Sequence, residues 1–156
     1  MAPLPTRNDI VYGSTKTYTA NTSTAFRQWI AESHCSYNHG YSLTFTATFE
    51  ADELDVRSWV VDFGSLKSFK GWIDKIFDHT TLVSSDDPQL EWFKEAHKRK
   101  IIDMREVVAT GCEATARLVF EYLESWLVDN GYSPRVRLVK LEVSEHQGNS
   151  AYVRLR

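Results

Sequence analysis

The alternation of polar and apolar residues along this chain predicts strands towards both of its ends. Residues 42–49 alternate strictly between the two classes, which is the period-two pattern of a half-buried strand. Residues 136–143 and 151–155 predict two further strands. Residues 10–29 are rich in threonine and aromatic residues, which favour extended backbone. The sequence therefore predicts four strands, two on either side of a helical middle.

The middle of the chain carries the three- and four-residue spacing of amphipathic helices. This spacing predicts a helix over residues 65–77, a short helix that starts at Asp87-Pro88, and a third helix from Thr110 that ends before Gly131. The Thr-Gly-Cys-Glu sequence at the start of the third helix fits a capping box. We predict an α+β fold, in which a four-stranded antiparallel sheet carries the two longer helices on one face.

Length and composition predict a single domain over residues 1–156. The chain is 42% hydrophobic and 13% aromatic, and at this length it can bury a sizeable core. Residues 1–9 contain two prolines and no periodic pattern, so we expect a loose tail there. The sequence shows neither the ~20 consecutive apolar residues that cross a bilayer nor the apolar core of a signal peptide. We therefore expect no membrane partner.

Charge and cysteine usage narrow the partners and the compartment. A formal net charge of -3 gives no basic pattern that would attract nucleic acid or an acidic membrane, so we expect neither as a partner. The two cysteines are far apart and form no disulfide framework. This favours a cytoplasmic protein, in which a free thiol is available as a reagent.

The first candidate for chemistry is the segment at residues 33–41. His34, Cys35 and His39 lie within six positions, where the flanking strands predict a hairpin turn. If His34 closes one strand and His39 opens the next, residues 35–38 form the loop and the two imidazoles lie across from each other. Such a pair could supply two ligands of a zinc ion, and an imidazole or a metal could activate the thiol. An ordinary loop without chemistry is the alternative.

Three further segments carry acidic candidates. Asp78-His79, at the end of a predicted helix, could be an oriented acid–base pair or a histidine that interacts with the helix dipole. Glu113 could serve a site, although the capping box already accounts for it. Glu145 would continue the inward face of its strand, where a carboxylate indicates a ligand. A strand-end glutamate turned to solvent is the alternative there.

Taken in order, these segments resemble the motifs of the 6-pyruvoyltetrahydropterin synthase and 6-carboxytetrahydropterin synthase family. The family pattern has an upstream histidine, Cys-x-x-x-His-Gly-His, Asp-Phe before the first helix and Asp-His at its end. A glutamate then opens the second helix, and a late strand ends in another glutamate. The resemblance covers about residues 31–152. The matching residues are His34, Cys35-x-x-x-His39-Gly40-Tyr41, Asp62-Phe63, Asp78-His79, Glu113 and Glu145.

The resemblance implies a fold, an assembly and a substrate. Members of the family have the tunnelling fold, a four-stranded antiparallel sheet with two helices on one face. They assemble trimers into barrels that pair as hexamers, so the expected assembly is a homo-hexamer with active sites between subunits. The implied substrate is 7,8-dihydroneopterin triphosphate. The implied cofactor is zinc, which acidifies hydroxyl groups and polarises a neighbouring carbonyl.

The resemblance also assigns roles to the matching residues. Cys35 corresponds to the catalytic thiol, which moves a proton of the substrate side chain, and Asp78 and His79 correspond to the pair that relays protons. Glu145 corresponds to the anchor of the pterin ring, since a carboxylate can accept paired hydrogen bonds from the amide-and-amine edge. Glu113 matches the glutamate at the helix start and completes the substrate-binding set.

The metal ligands that the resemblance implies are His34, His39 and Tyr41. Tyr41 stands where the family has the second histidine of His-Gly-His, and tyrosine ligates zinc only as a phenolate, with an unperturbed pKa of ~10. His34 directly precedes the cysteine, where the family usually has a long loop. Residues 84–108 form an insertion relative to the family's connector. We expect this insertion to cover the site or to add an assembly contact.

The activity that the resemblance implies is that of a 6-carboxytetrahydropterin synthase, on the path to 7-deazaguanine (queuosine-type) nucleosides. The short Cys-x-x-x-His spacing is shared with that branch. The alternatives within the family are 6-pyruvoyltetrahydropterin synthesis and side-chain cleavage to a hydroxymethylpterin. An alternative from another class is a pterin- or purine-binding module that has lost zinc and catalysis. Tyr41 favours that alternative, whereas the retained thiol, Asp-His pair and late glutamate argue against it.

Overall fold

The computed structural model describes residues 4, 9–19 and 22–156, so most of the predicted tail at residues 1–9 lies outside the described residues. None of the helices in these ranges has both the length and the apolar character needed to cross a bilayer. The elements in chain order are β1 (Tyr12–Tyr18), β2 (Thr24–Phe26), β3 (His39–Tyr41), β4 (Thr44–Ala51), α1 (Lys67–Phe77), β5 (Thr80–Ser84), α2 (Leu90–Lys98), β6 (Met104–Val107), α3 (Cys112–Asp129), β7 (Val136–His146) and β8 (Asn149–Arg154).

The first sheet is the four-stranded antiparallel sheet that the sequence predicts. Its strand order is β1-β4-β7-β8, and every neighbouring pair is antiparallel. Alternate residues of β4 are buried, and together with the inward residues of β7 they form one core with the apolar faces of α1 and α3. The predicted α+β fold is confirmed. Fully buried side chains at its centre are Phe45, Phe49, Phe69, Leu123 and Leu141.

A second sheet, which the alternation did not predict, has the strand order β3-β2-β5-β6. Its β2–β5 and β5–β6 pairs are parallel, and its β2–β3 pair is antiparallel. Every residue of β5 is buried. A short strand buried on both faces has no period-two pattern, so it cannot be told from the end of the preceding helix by periodicity.

The insertion at residues 84–108 contains the helix and the second strand of a β-α-β unit whose two strands are parallel. The chain leaves β5, passes through α2 and returns as β6, which pairs with β5 from Thr81–Met104 to Ser84–Val107. Both Phe93 and Ala96 of α2 are buried. The insertion therefore extends the second sheet by one strand and is an ordered part of the domain.

The predicted four-residue hairpin loop between His34 and His39 is wrong. Strand β2 ends at Phe26, and Phe26 is the residue that lies opposite His39 in the register. The chain between these two residues is a longer loop, in which His34 begins a short 3-10 turn and is exposed. The turn forms because the Ser33 hydroxyl oxygen accepts a hydrogen bond from the backbone N–H of Cys35, as in a helix cap.

The predicted capping box at Thr110 is also wrong. The residue that precedes α3 is Gly111, with a positive φ of 105°, and no side chain caps the first turn. The Thr110 hydroxyl instead donates to the backbone carbonyl of Arg27, at 2.7 Å. The Thr110 hydroxyl therefore binds a residue distant in the sequence and does not form the helix cap that the local pattern had predicted.

We expect Leu123→Ala to lower the free energy of unfolding by about 2–5 kcal/mol, because it removes a fully buried side chain and leaves a cavity between α3 and the sheet. Val128→Ala on the same helix is the matched control. Val128 is 63% exposed, and we expect its truncation to change stability by less than about 0.5 kcal/mol. Urea denaturation followed by circular dichroism measures both. Equal effects would contradict the assignment of the buried face of α3.

Candidate active site

Cys35 lies half-buried in the loop between β2 and β3, and its backbone is held on both sides. Its carbonyl accepts a hydrogen bond from the Gln28 backbone N–H at 2.9 Å, and its own N–H donates to the Ser33 hydroxyl at 3.3 Å. Both cysteines of the chain are free. The thiol is therefore presented by a loop with a defined backbone rather than by a strand end.

Gln28 connects this loop to the start of α3. Its side-chain amide donates to the Thr110 carbonyl at 2.6 Å. A Cβ on Gly111 would come within 2.3 Å of that amide nitrogen and 3.9 Å of the Glu113 carboxylate. The close approach, together with the positive φ, explains why a glycine is needed here. It also places Glu113, which is exposed, next to the loop that carries Cys35.

Four neighbouring rings lie between the loop and β7, and one of them, Phe26, is buried in the core. Phe26 and His39 have ring centroids 5.6 Å apart, His39 and Tyr41 5.3 Å, and Tyr41 and His146 6.4 Å. His39 Nδ1 lies 2.7 Å from the Tyr37 carbonyl and donates to it, which leaves Nε2 as the free nitrogen. The surroundings of His39 are thus largely aromatic.

Glu145 lies near the Tyr41 phenol, at the β7 end of this group of rings. It is half-buried in β7, at an irregularity in the pairing with β8 between Ser144 and His146. Burial raises the pKa of the Tyr41 phenol, and the nearby Glu145 and Cys35 side chains raise it further. The structure therefore brings together Cys35, Tyr41 and Glu145, three of the residues that the sequence singled out.

Cys112 is a second thiol in the same neighbourhood, but it is a structural one. Burial, followed by the Glu145 carboxylate, raises the pKa of Cys112 to about 11. Its Sγ–H donates to the Val143 carbonyl at 3.0 Å. A buried thiol that stays protonated at neutral pH is a poor nucleophile or base, so Cys35 is the reactive candidate.

Asp78 and His79 form an oriented pair at the end of α1. The Asp78 carboxylate accepts from His79 Nδ1–H at 2.8 Å and from the Ser23 backbone N–H at 3.3 Å. His79 has a left-handed backbone, with φ at 56°, and its ring is 83% exposed. The ring faces an open cleft of about 1120 Å³, which Tyr41 and Lys100 also line. The arrangement leaves Nε2 free to exchange a proton with a molecule in the cleft.

Cys35 and the Asp78–His79 pair are held by hydrogen bonds at opposite ends of β2. The pair is attached to Ser23, before β2, whereas Cys35 is attached to Gln28, beyond the other end of that strand. Ser23 and Phe26 alone are separated by roughly 10 Å of extended chain. The structure therefore attaches the two groups, Cys35 and the Asp78–His79 pair, to opposite ends of β2, while Tyr41 lies near the first and lines the cleft beside the second.

The residues around His39 do not fit the zinc site that the resemblance implies. Phe26, not His34, lies opposite His39, and the raised pKa of Tyr41 disfavours the phenolate that would bind a metal. Across the described ranges, which contain every histidine and cysteine of the chain, no group of three His, Cys, Asp or Glu side chains is arranged to hold a metal ion. The described residues therefore gather fewer than three protein ligands around His39, whereas a catalytic zinc site needs three.

Sequence reasoning missed Phe26 and Gln28 as members of this region, and left His146 open as a group that could complete the site. Gln28 acts through a hydrogen bond to a residue 82 positions away, which no local pattern records. Phe26 became visible only through the strand register. The position of His146, next to Glu145 at the end of a strand, was the one available signal.

We expect added zinc to leave the melting temperature of the protein unchanged, and EDTA not to lower it. A ligand stabilises the folded state only if it binds there, and the donor set around His39 is too small to bind zinc tightly. Differential scanning fluorimetry of wild type and His39→Ala, with and without zinc, measures this. A zinc-dependent rise in wild type that His39→Ala abolishes would contradict the interpretation.

Comparison with known proteins assigns the chain to a family. The family model described as 6-pyruvoyl tetrahydropterin synthase matches residues 16–155. A 6-carboxy-5,6,7,8-tetrahydropterin synthase of Rickettsia bellii is 34% identical over 67 residues, which are 42% of this chain and 49% of that protein. The enzyme of the same name from Aquifex aeolicus is 29% identical over 116 residues, which are 71% of this chain and 70% of that protein. The chain thus spans about half the length of the Rickettsia relative.

Solved structures support the same fold. An uncharacterized protein of Wolinella succinogenes superposes with a TM-score of 0.79 at 21% identity, covering 94% of this chain and 99% of that one. A catalytic-residue mutant of Plasmodium vivax 6-pyruvoyltetrahydropterin synthase superposes with a TM-score of 0.68 at 14% identity, covering 93% and 98%. At these identities the likeness concerns the fold alone. The family match over nearly the whole chain shows that this protein belongs to the 6-pyruvoyl tetrahydropterin synthase family.

Proposed function

We propose that this protein is a lyase that converts 7,8-dihydroneopterin triphosphate to 6-carboxy-5,6,7,8-tetrahydropterin. Family membership and the names of the curated relatives support this product class. The observation that carries the proposal is the position of the Cys35 thiol and the Glu145 carboxylate around Tyr41. A base and a carboxylate at one site suit the handling of a pterin. The product belongs on the path to 7-deazaguanine nucleosides, and the proposal includes a cytoplasmic location.

Glu145 holds the pterin ring in this proposal. The pterin edge carries a ring N–H and an exocyclic amine side by side, and a carboxylate accepts from both with its two oxygens. In a half-buried position such paired bonds to a charged group are strong, and leaving the carboxylate unpaired is costly. Glu113, next to the Cys35 loop, is the second carboxylate within this region.

Cys35 acts as the base that takes a proton from the side chain of the substrate. A half-buried thiol on a loop with a defined backbone can be held at one distance from a bound ring. The Asp78–His79 pair moves protons to and from the substrate oxygens, since Asp78 fixes the ring so that Nε2 faces the cleft.

The two groups of residues come together between subunits in this proposal. The backbones at Cys35 and His79 are attached to opposite ends of β2, and in this proposal a complete site takes the thiol and glutamate from one subunit and the Asp-His pair from another. The open cleft beside His79 offers room for a neighbouring chain and a substrate. A homo-hexamer built as a dimer of trimers satisfies this requirement.

Zinc would polarise the substrate hydroxyls if it were bound, as the resemblance implies. The donor set of this chain supplies one firm ligand, His39, so the proposal assigns no step to a metal. Tyr41, which burial keeps protonated, can donate a hydrogen bond in the same place.

A second candidate is a pterin-binding protein without catalysis. The observation that favours it is the Tyr41 ring, which lines the open cleft and contacts the buried ring of Phe26 at 5.8 Å between centroids. Aromatic faces bind a flat heterocycle without any need for chemistry. The oriented Asp78–His79 pair has no purpose in such a protein, which ranks this candidate second.

The direct test incubates the purified protein with 7,8-dihydroneopterin triphosphate and identifies the products by mass spectrometry. We expect 6-carboxytetrahydropterin with zinc or with EDTA. Cys35→Ala should keep pterin affinity and lose turnover by about 10²–10⁴-fold, the range for a general base. Glu145→Gln should weaken pterin binding by about tenfold or more, the worth of a hydrogen bond to a charged group.

Glu142→Gln is the matched control for Glu145→Gln. Glu142 lies on the same strand, where it accepts from Lys140 at 2.7 Å, and its loss should leave pterin affinity unchanged. Binding without turnover by wild type would favour the second candidate function. Unchanged affinity in Glu145→Gln would contradict the anchor assignment.

A further inference from the structure

We propose that the insertion positions the Cys35 loop through a buried ion pair between Arg27 and Asp87, which makes both of them positioning residues for the thiol. Arg27 lies at the start of the loop, directly after β2, and Asp87 lies in the insertion, directly before α2. The catalytic part of the inference rests on the proposed function. The mechanical part, that the pair sets the geometry of the loop, does not.

The ion pair has the two-pronged geometry of a strong interaction. Arg27 Nε donates to one Asp87 oxygen at 2.8 Å, and Nη2 donates to the other at 2.6 Å. The Asp87 side chain is 1% exposed and the Arg27 side chain 21% exposed. The Arg27 guanidinium also lies 5.8 Å from the ring centroid of Phe93 on α2. Planar guanidinium and carboxylate groups in this arrangement define both distance and orientation.

Burial makes this pair more than a surface contact. The hydrogen bonds from Arg27 hold the pKa of Asp87 below its ordinary value, against the opposing effect of burial. Asp87 also accepts from the Gln89 backbone N–H at 2.8 Å, which ties the carboxylate to the start of α2. Removing either partner of a buried pair leaves an uncompensated charge, so the two segments are held together strongly.

The ion pair reaches the Cys35 loop in two ways, through the Arg27 side chain and through the backbone of the next residue, Gln28. Arg27 Nη1 donates to the carbonyl of Ser36, the residue after Cys35, at 3.4 Å. The next residue, Gln28, donates its backbone N–H to the Cys35 carbonyl at 2.9 Å. A shift of Arg27 is therefore transmitted to the backbone carbonyls of Cys35 and Ser36.

A second link from the insertion to the loop acts in parallel. The indole N–H of Trp29 donates to the Asp86 carboxylate at 3.1 Å, and the Ser84 hydroxyl donates to the same oxygen. Trp92 and Phe93 of α2 line a small groove with Arg27, Ser36 and Tyr37 of the loop. The insertion therefore supports the loop along one whole side.

The test compares Asp87→Asn with Glu95→Gln. Both remove one negative charge from the insertion, but Glu95 forms an exposed pair with Arg99 on the outer side of α2. The first measurement is hydrogen exchange at the backbone N–H of Gln28. The second is the rate at which iodoacetamide alkylates Cys35, with peptide mass spectrometry to separate it from Cys112. The third is the pair of kinetic constants kcat and KM, each determined separately. Arg27→Lys is the second variant, which keeps the charge but loses the two-pronged contact and serves if Asp87→Asn does not fold.

We expect Asp87→Asn to speed both exchange at Gln28 and alkylation of Cys35 about tenfold, the worth of a hydrogen bond between charged groups. We expect kcat to fall with little change in KM, and Glu95→Gln to match wild type. A lower melting temperature with unchanged exchange at Gln28 and unchanged alkylation of Cys35 would mean that the pair only stabilises the insertion, and would overturn the proposal. If Cys35 is not catalytic, the kcat change disappears while the exchange and alkylation changes persist.

Discussion

The register between β2 and β3 determines where the candidate side chains of this protein lie. Phe26 pairs with His39 and Thr24 pairs with Tyr41, while Thr24 on its other side pairs with Thr80 of β5. This one register turns Tyr41 towards Glu145 and leaves His34 in the loop. It also fixes His79, the residue before β5, at the Thr24 end of β2. A shift by one residue would turn each of these side chains to the opposite face of the sheet.

The sequence predicted the parts of the fold that one element can encode by itself. The alternation in β4 and the three- and four-residue spacing in α1 and α3 are local patterns, and the structure confirms them. Strand β5 was not predicted, because all of its residues are buried and its sequence therefore shows no alternation. The Thr110 hydroxyl was assigned to a helix cap because its actual partner, the Arg27 carbonyl, is 83 positions away.

The same distinction between local and long-range information applies at the candidate site. Cys35, Glu145 and the Asp78–His79 pair stood out as residue types in unusual places, and the structure gives each a defined environment. The expectation that His34 and His39 face each other failed because it depended on where β2 ends. The residues that follow this strand, Arg27 and Gln28, form hydrogen bonds to the insertion and to the segment before α3 instead of continuing the strand. Chemistry-bearing residues can be read from the sequence here, whereas their relative placement depends on long-range hydrogen bonds.

The central claim is that a complete site takes Cys35 from one subunit and His79 from another, and mixed oligomers test it most directly. Cys35→Ala and His79→Ala chains, each inactive alone, are co-expressed with different affinity tags and purified through both tags. Random mixing in a symmetric oligomer should leave about a quarter of the sites with both groups intact, and turnover of 7,8-dihydroneopterin triphosphate should recover to that extent. Mixed oligomers no more active than either variant alone would contradict the account.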